Sequence, residues 1–139
     1  FDLFASRNQF SHAPRCSNEH KSEWIWERLR FMALDGRLIV CTFKQRHSDD
    51  SHGIATGFAG YAVADVRSIR DGRGEKGALE HKLLQLWSSW NTGCKWRGRW
   101  GAGSSEWAQH PAVAEELAWP SNDPESGLFW MCWEDFCAG

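Results

Sequence analysis

The sequence predicts an α+β fold: an antiparallel β-sheet with flanking short helices and tryptophan-rich loops. Three observations predict it. One stretch of helical period, 23–35, stops at a glycine. Short apolar runs follow it, two of them joined by a glycine-rich turn that suits a hairpin, hence antiparallel pairing. Ten tryptophans, most of them from Trp87 onward, lie where glycine is dense and regular period is weak.

Taken in order, residues 1–22 carry no sustained period and read as irregular, with Phe1, Leu3 and Phe4 free to dock on a neighbouring segment. Residues 23–35, EWIWERLRFMALD, read as a helix. Ile25, Leu29 and Met32 form its apolar stripe, flanked by Trp24 and Trp26; Ser22 suits the N-cap and Gly36 the C-terminal stop. Leu38 to Phe43 is a continuous apolar run and reads as a buried strand. A polar loop, 44–53, separates it from a second strand, Tyr61 to Ile69. Turn residues 70–77 lead into a third strand, His81 to Trp87. Residues 88–105 read as a loop ordered by large aromatics. Pro111 suits the first position of a short helix with Val113, Ala114 and Leu117 on its apolar side. Residues 121–127 read as turn, Leu128 to Cys132 as a final strand, and Trp133 to Phe136 as a closing helical turn.

Composition limits the function classes. A chain of 139 residues fits one domain, 1–139, since domains cluster at roughly 100–150 residues. It begins with Phe1, as expected of a segment of something longer. Sixteen basic residues stand against 18 acidic ones, so no single-sign field marks a nucleic-acid binder. No apolar run approaches the roughly 20 residues of a membrane span. Five cysteines, Cys16, Cys41, Cys94, Cys132 and Cys137, are odd in number and include no Cys-x-x-Cys pair. That argues against a disulfide framework or structural zinc site and for a reducing, intracellular and cytoplasmic setting.

Local motifs for chemistry are sparse. The six histidines offer no i, i+4 metal face. His47 and His52 with Asp49 or Asp50 could reach one ion, but such polar loops are usually solvated, and adjacent carboxylates diverge too much for acid/base pairing. The glycines of GIATGFAGYAV precede a strand instead of opening a helix, so they do not form a phosphate cradle. Thiols and histidines are present, with no local signature joining them into a nucleophile–base pair.

Two tryptophan motifs carry a resemblance. KWRGRWGAGSSEW resembles the calpain protease core's Glu-Trp-x-Gly-x-Trp-Ser-Asp-x-Ser-x-x-Trp, with Trp96, Gly98, Trp100, Ser104 and Trp107 in matching places. SGLFWMCWEDF resembles that family's Asp-Gly-x-Phe-Trp-Met-x-x-x-Asp-Phe, through Gly127, Phe129, Trp130, Met131, Asp135 and Phe136. FDLFASRN, the helix–glycine–strand EWIWERLRFMALDGRLIV, and the strands YAVADVRSI and KLLQLW sit in the order of the family's second subdomain, so the resemblance covers nearly the whole chain.

That resemblance implies a papain-like fold and an origin in cysteine endopeptidase chemistry, with the nucleophilic cysteine in a first subdomain absent from these residues. The family histidine lies in Gly-His-Ala-Tyr; here Gly57-Phe58-Ala59-Gly60-Tyr61 puts Phe58 in its place, with one extra residue. The family asparagine follows the second strand of the pair, and Ser88 stands there. Acidic calcium positions of the family fall on Lys95, Ala102, Ser126 and Leu128, while Glu106 and Glu125 sit off the pattern. A catalytically inactive subdomain follows, without calcium or other cofactor. It would act as a scaffold or as a module for a protein or peptide partner, the first protease subdomain included. Two alternatives stand beside it. His52, six positions before Phe58, could serve an active calcium-dependent protease, or the tryptophans could form an unrelated sugar- or peptide-binding surface.

Overall fold

The structure is a computed structural model that describes residues 2–5, 19–44, 53–55, 59–72, 78–88, 96–119 and 127–138. Its centre is a five-stranded sheet in the order β1-β2-β3-β4-β5, antiparallel throughout. The strands are β1 (Asp2–Ala5), β2 (Ile39–Thr42), β3 (Gly60–Asp71), β4 (Leu79–Ser88) and β5 (Leu128–Cys132). Helix α1 (Glu19–Leu34) follows β1, the short α2 (Glu106–Gln109) and α3 (Pro111–Glu116) follow β4, and α4 (Trp133–Ala138) closes the chain. The α+β reading from sequence therefore holds, as does the β3–β4 hairpin, in which Ile69 pairs with His81 and Tyr61 with Ser88.

Two sequence expectations are corrected in the first twenty-odd residues. Asp2–Ala5 is not irregular: it pairs with β2, Phe4 opposite Val40. Ser22 is not an N-cap, because α1 begins three residues earlier at Glu19. Its hydroxyl instead accepts a hydrogen bond from Trp133 Nε1 at 2.8 Å, tying α1 to α4. The stop at Gly36 is as expected: the Arg37 amide donates to the Met32 carbonyl at 3.0 Å and the Gly36 amide to Ala33 at 3.1 Å, closing the last turn.

Both faces of the sheet carry buried apolar side chains. One face carries Tyr61, Val63, Val66, Leu84, Leu86, Phe129 and Met131, and α1 covers it with Ile25, Trp26, Leu29 and Met32. Trp133 and Phe136 of α4 join that cluster. Val63 and Val66 share this face although three residues apart, because the register slips between Val63 and Asp65 and Ala64 bulges out. The other face presents Ile69, Leu83, Trp130 and Cys132, and the segment 96–119 covers it with Trp100, Trp107 and Val113. Trp26 Nε1 is buried without a hydrogen-bond partner among the described residues. No helix of the described residues is long and apolar enough to cross a membrane.

Candidate functional site

One end of the β3–β4 hairpin holds Ser88, one of the two positions singled out by the catalytic resemblance. Ser88 is the last residue of β4, opposite Tyr61. Its amide donates to the Gly127 carbonyl at 3.0 Å, which ties the start of β5 to this strand end. Gly127 has φ +74°, and a Cβ there would sit 2.6 Å from the Ser88 carbonyl oxygen, so only glycine fits without a shift. The Tyr61 hydroxyl donates to the Ala55 carbonyl at 3.1 Å and accepts from the Ala55 amide at 2.8 Å, holding Ala55 against β3. Ser88 itself is 5% exposed, and its hydroxyl lacks a hydrogen-bond partner among the described residues.

Phe58, Lys95 and Ser126 lie outside the described residues, as do His47, Asp49, Asp50, His52 and Glu125. Of the remaining positions, Ala102 is exposed in the turn before α2, Leu128 begins β5 opposite Trp87, and Glu106 begins α2. The geometry thus brings Ser88, Tyr61 and Gly127 together.

The tryptophan motifs form packing, with their polar edges bonded. Trp96, Trp100, Trp107, Trp130 and Trp133 are all buried. Trp96 Nε1 donates to the Arg99 carbonyl at 2.7 Å and Trp107 Nε1 to the Gly101 carbonyl at 2.8 Å, so each ring fixes the loop that carries it. Gly98 is required by the same loop: a Cβ would fall 2.0 Å from the Trp96 ring. Trp107 stacks on Trp119 at 4.5 Å between ring centroids and meets Trp100 edge-on at 4.8 Å. These five tryptophans do not form the solvent-exposed row expected of an unrelated aromatic module. Trp24 and Trp87 do face solvent, at 55% and 43% exposure.

The buried thiols are poor nucleophiles. Burial pushes Cys41 and Cys132 up to about 12, so neither offers thiolate near neutral pH.

A second constellation, missed by sequence reasoning, sits at the other end of the hairpin. It lies about 23 Å from Ser88 along β4, at about 3.3 Å per residue. Asp71 ends β3, His81 lies on β4 across from Ile69, and His110 joins α2 to α3. His110 Nδ1 donates to Asp71 Oδ2 at 2.5 Å. The two imidazole centroids are 4.5 Å apart, and Trp100 lies edge-on to His81 at 5.3 Å. His81 Nε2 is buried without a partner among the described residues. Burial, and then the adjacent His110, pull the His81 pKa below its ordinary value. Trp100 adopts φ 65°, a left-handed conformation held by its burial against His81, Trp107 and His110. No local pattern announced this group, because residues 71, 81 and 110 meet only through the hairpin register and the fold of the 96–119 segment.

Comparison with known proteins finds one family over nearly the whole chain. The family described as "Calpain family cysteine protease" matches residues 5–139. Calpain-5 of Rattus norvegicus is 30% identical over 129 residues, covering 87% of this chain and 20% of that protein. Calpain-5 of Mus musculus gives the same identity and coverage, and calpain-13 of Rattus norvegicus is 28% identical over 104 residues, 73% of this chain and 14% of that protein. The chain therefore spans about a fifth or less of the length of these relatives. With a match running through the sheet, the tryptophan loop and α4, this chain belongs to the calpain family of cysteine proteases.

Proposed function

We propose that this chain is the second half of a calpain-type protease core that has lost its proton-transfer chemistry. It serves as a scaffold or a peptide- or protein-binding module of a longer protein, in an intracellular, cytoplasmic setting. The observation that carries the reading is Ser88, which the sequence resemblance aligns with the family's asparagine and whose short hydroxyl is buried and unpartnered among the described residues. Thiol proteolysis needs an imidazole that takes the proton from sulfur and returns it to the leaving amine, and a third group that orients that ring. Phe58, aligned with the family histidine, has no titratable atom, and a serine hydroxyl reaches less far than an asparagine amide. With Lys95, Ala102, Ser126 and Leu128 at the family's acidic calcium positions, the carboxylate oxygens that calcium favours are missing there.

Binding has a surface available. Trp24, Phe31, Leu34 and Leu38 are large apolar side chains exposed on and just after α1, of the kind that partners cover. The test mixes the chain with the first subdomain of an active calpain, casein and calcium. The two halves are expected to associate, weakened by Trp24→Ala with Phe31→Ala, and to leave casein intact. Cysteine-dependent cleavage that disappears on changing His52 or His81 to alanine would overturn the reading.

A further inference from the structure

We propose that Asp71, His81 and His110 form a binding site for one divalent transition-metal ion of the zinc class. Their donor atoms all lie within 4.8 Å of one another. Ligands about 2.0–2.1 Å from a tetrahedral zinc stand roughly 3.4 Å apart, a contraction within reach of side-chain rotation. Two imidazoles and one carboxylate, with a fourth position left to water, are a zinc-type ligand set. The nitrogens set it apart from a calcium site, which takes oxygen ligands.

Two further features point to a ligand. His81 Nε2 is a buried donor–acceptor atom with nothing to bond among the described residues, and an ion between the two rings would satisfy it. The cluster also spans two parts of the fold. Asp71 and His81 belong to the hairpin, while His110 belongs to the segment that carries Trp100 and Trp107 over the sheet. An ion held there clamps that segment onto the hairpin, well away from Ser88. The site therefore has a structural role independent of peptide cleavage.

The test titrates the chain with Co(II) alone and follows its d–d absorption. One equivalent of tetrahedral Co(II) is expected, displaced by Zn(II) and unmoved by excess Ca(II). His81→Asn and His110→Gln should each weaken uptake by roughly 100-fold or more, the upper end of what loss of a supporting partner costs a metal site. A His47→Gln, His52→Gln double variant should bind as before. If the site variants fail to fold, imidazole nitrogen spectra of the unaltered chain decide. Zn(II) should shift two histidine side chains and no more, and should raise the thermal midpoint. Absence of Co(II) uptake, uptake that survives both site substitutions, loss in the His47/His52 variant, or displacement by calcium would overturn the proposal. So would zinc spectra in which no pair of imidazoles moves.

Discussion

Arg99 grips the carboxylate of Asp135 with two nitrogens, Nη2 to Oδ1 at 2.8 Å and Nε to Oδ2 at 3.3 Å. The pair joins the first tryptophan motif to the second across 36 residues of sequence. Through it the motif aspartate acts structurally, anchoring the loop that Trp96 and Trp107 organise onto α4. The hydrogen bonds that Arg99 donates to Asp135 hold its guanidinium above the ordinary range.

Breaking that link should cost little but measurably. Arg99 is half-exposed, so solvent screens the pair, and Arg99→Ala should lower stability by about 1 kcal/mol. A double-mutant cycle with Asp135→Asn, read from urea midpoints, should give a coupling of about 0.5–1 kcal/mol. Additive single changes would mean the two motifs are not coupled through these residues.

The motif glycines should be far less tolerant. Gly127→Ala meets both a left-handed φ and the Ser88 carbonyl, and should cost more than about 2 kcal/mol. Gly98→Ala drives a methyl group into the Trp96 ring, which is pinned by its bond to the Arg99 carbonyl, and should be at least as costly. Gly103→Ala meets nothing within 4 Å and should stay within about 0.5 kcal/mol of the parent in the same denaturation series.

Alkaline pH should weaken the fold through the buried thiols. The thiols of Cys41 and Cys132 ionise near 12 in the folded chain against 9.0 for an unperturbed thiol. Between those values the unfolded chain binds fewer protons, so the contribution of each thiol is complete below about 9 and is lost as pH rises toward 12. Urea midpoints should fall from pH 8 to pH 10.5, and Cys41→Ala should flatten that slope. Mass spectrometry after brief iodoacetamide treatment at pH 8 should find Cys41 and Cys132 labelled only when guanidinium is present.

Much of this was legible beforehand, for identifiable reasons. The second to fifth strands and α1 announced themselves because β2 and β5 are short apolar runs, β3 and β4 flank a glycine-rich turn, and the α1 stripe makes a helical period. Residues 2–5 hid because four residues cannot display a period, and their pairing with β2 is a long-range fact. Ser22 looked like a cap because its hydroxyl suits one, while its actual partner, Trp133, is 111 residues away. The fate of the tryptophans was open in composition and is decided by where the 96–119 segment lies on the sheet. The Asp71, His81 and His110 group was invisible for the same reason.

The decisive comparison is casein cleavage, in calcium, by an active calpain first subdomain joined either to this chain or to its Phe58→His, Ser88→Asn double variant. Background rates are expected with the unaltered chain, and any activity that emerges should emerge only with the doubly substituted one. Thiol-dependent turnover with the unaltered chain would contradict the proposed loss of proton-transfer chemistry at positions 58 and 88.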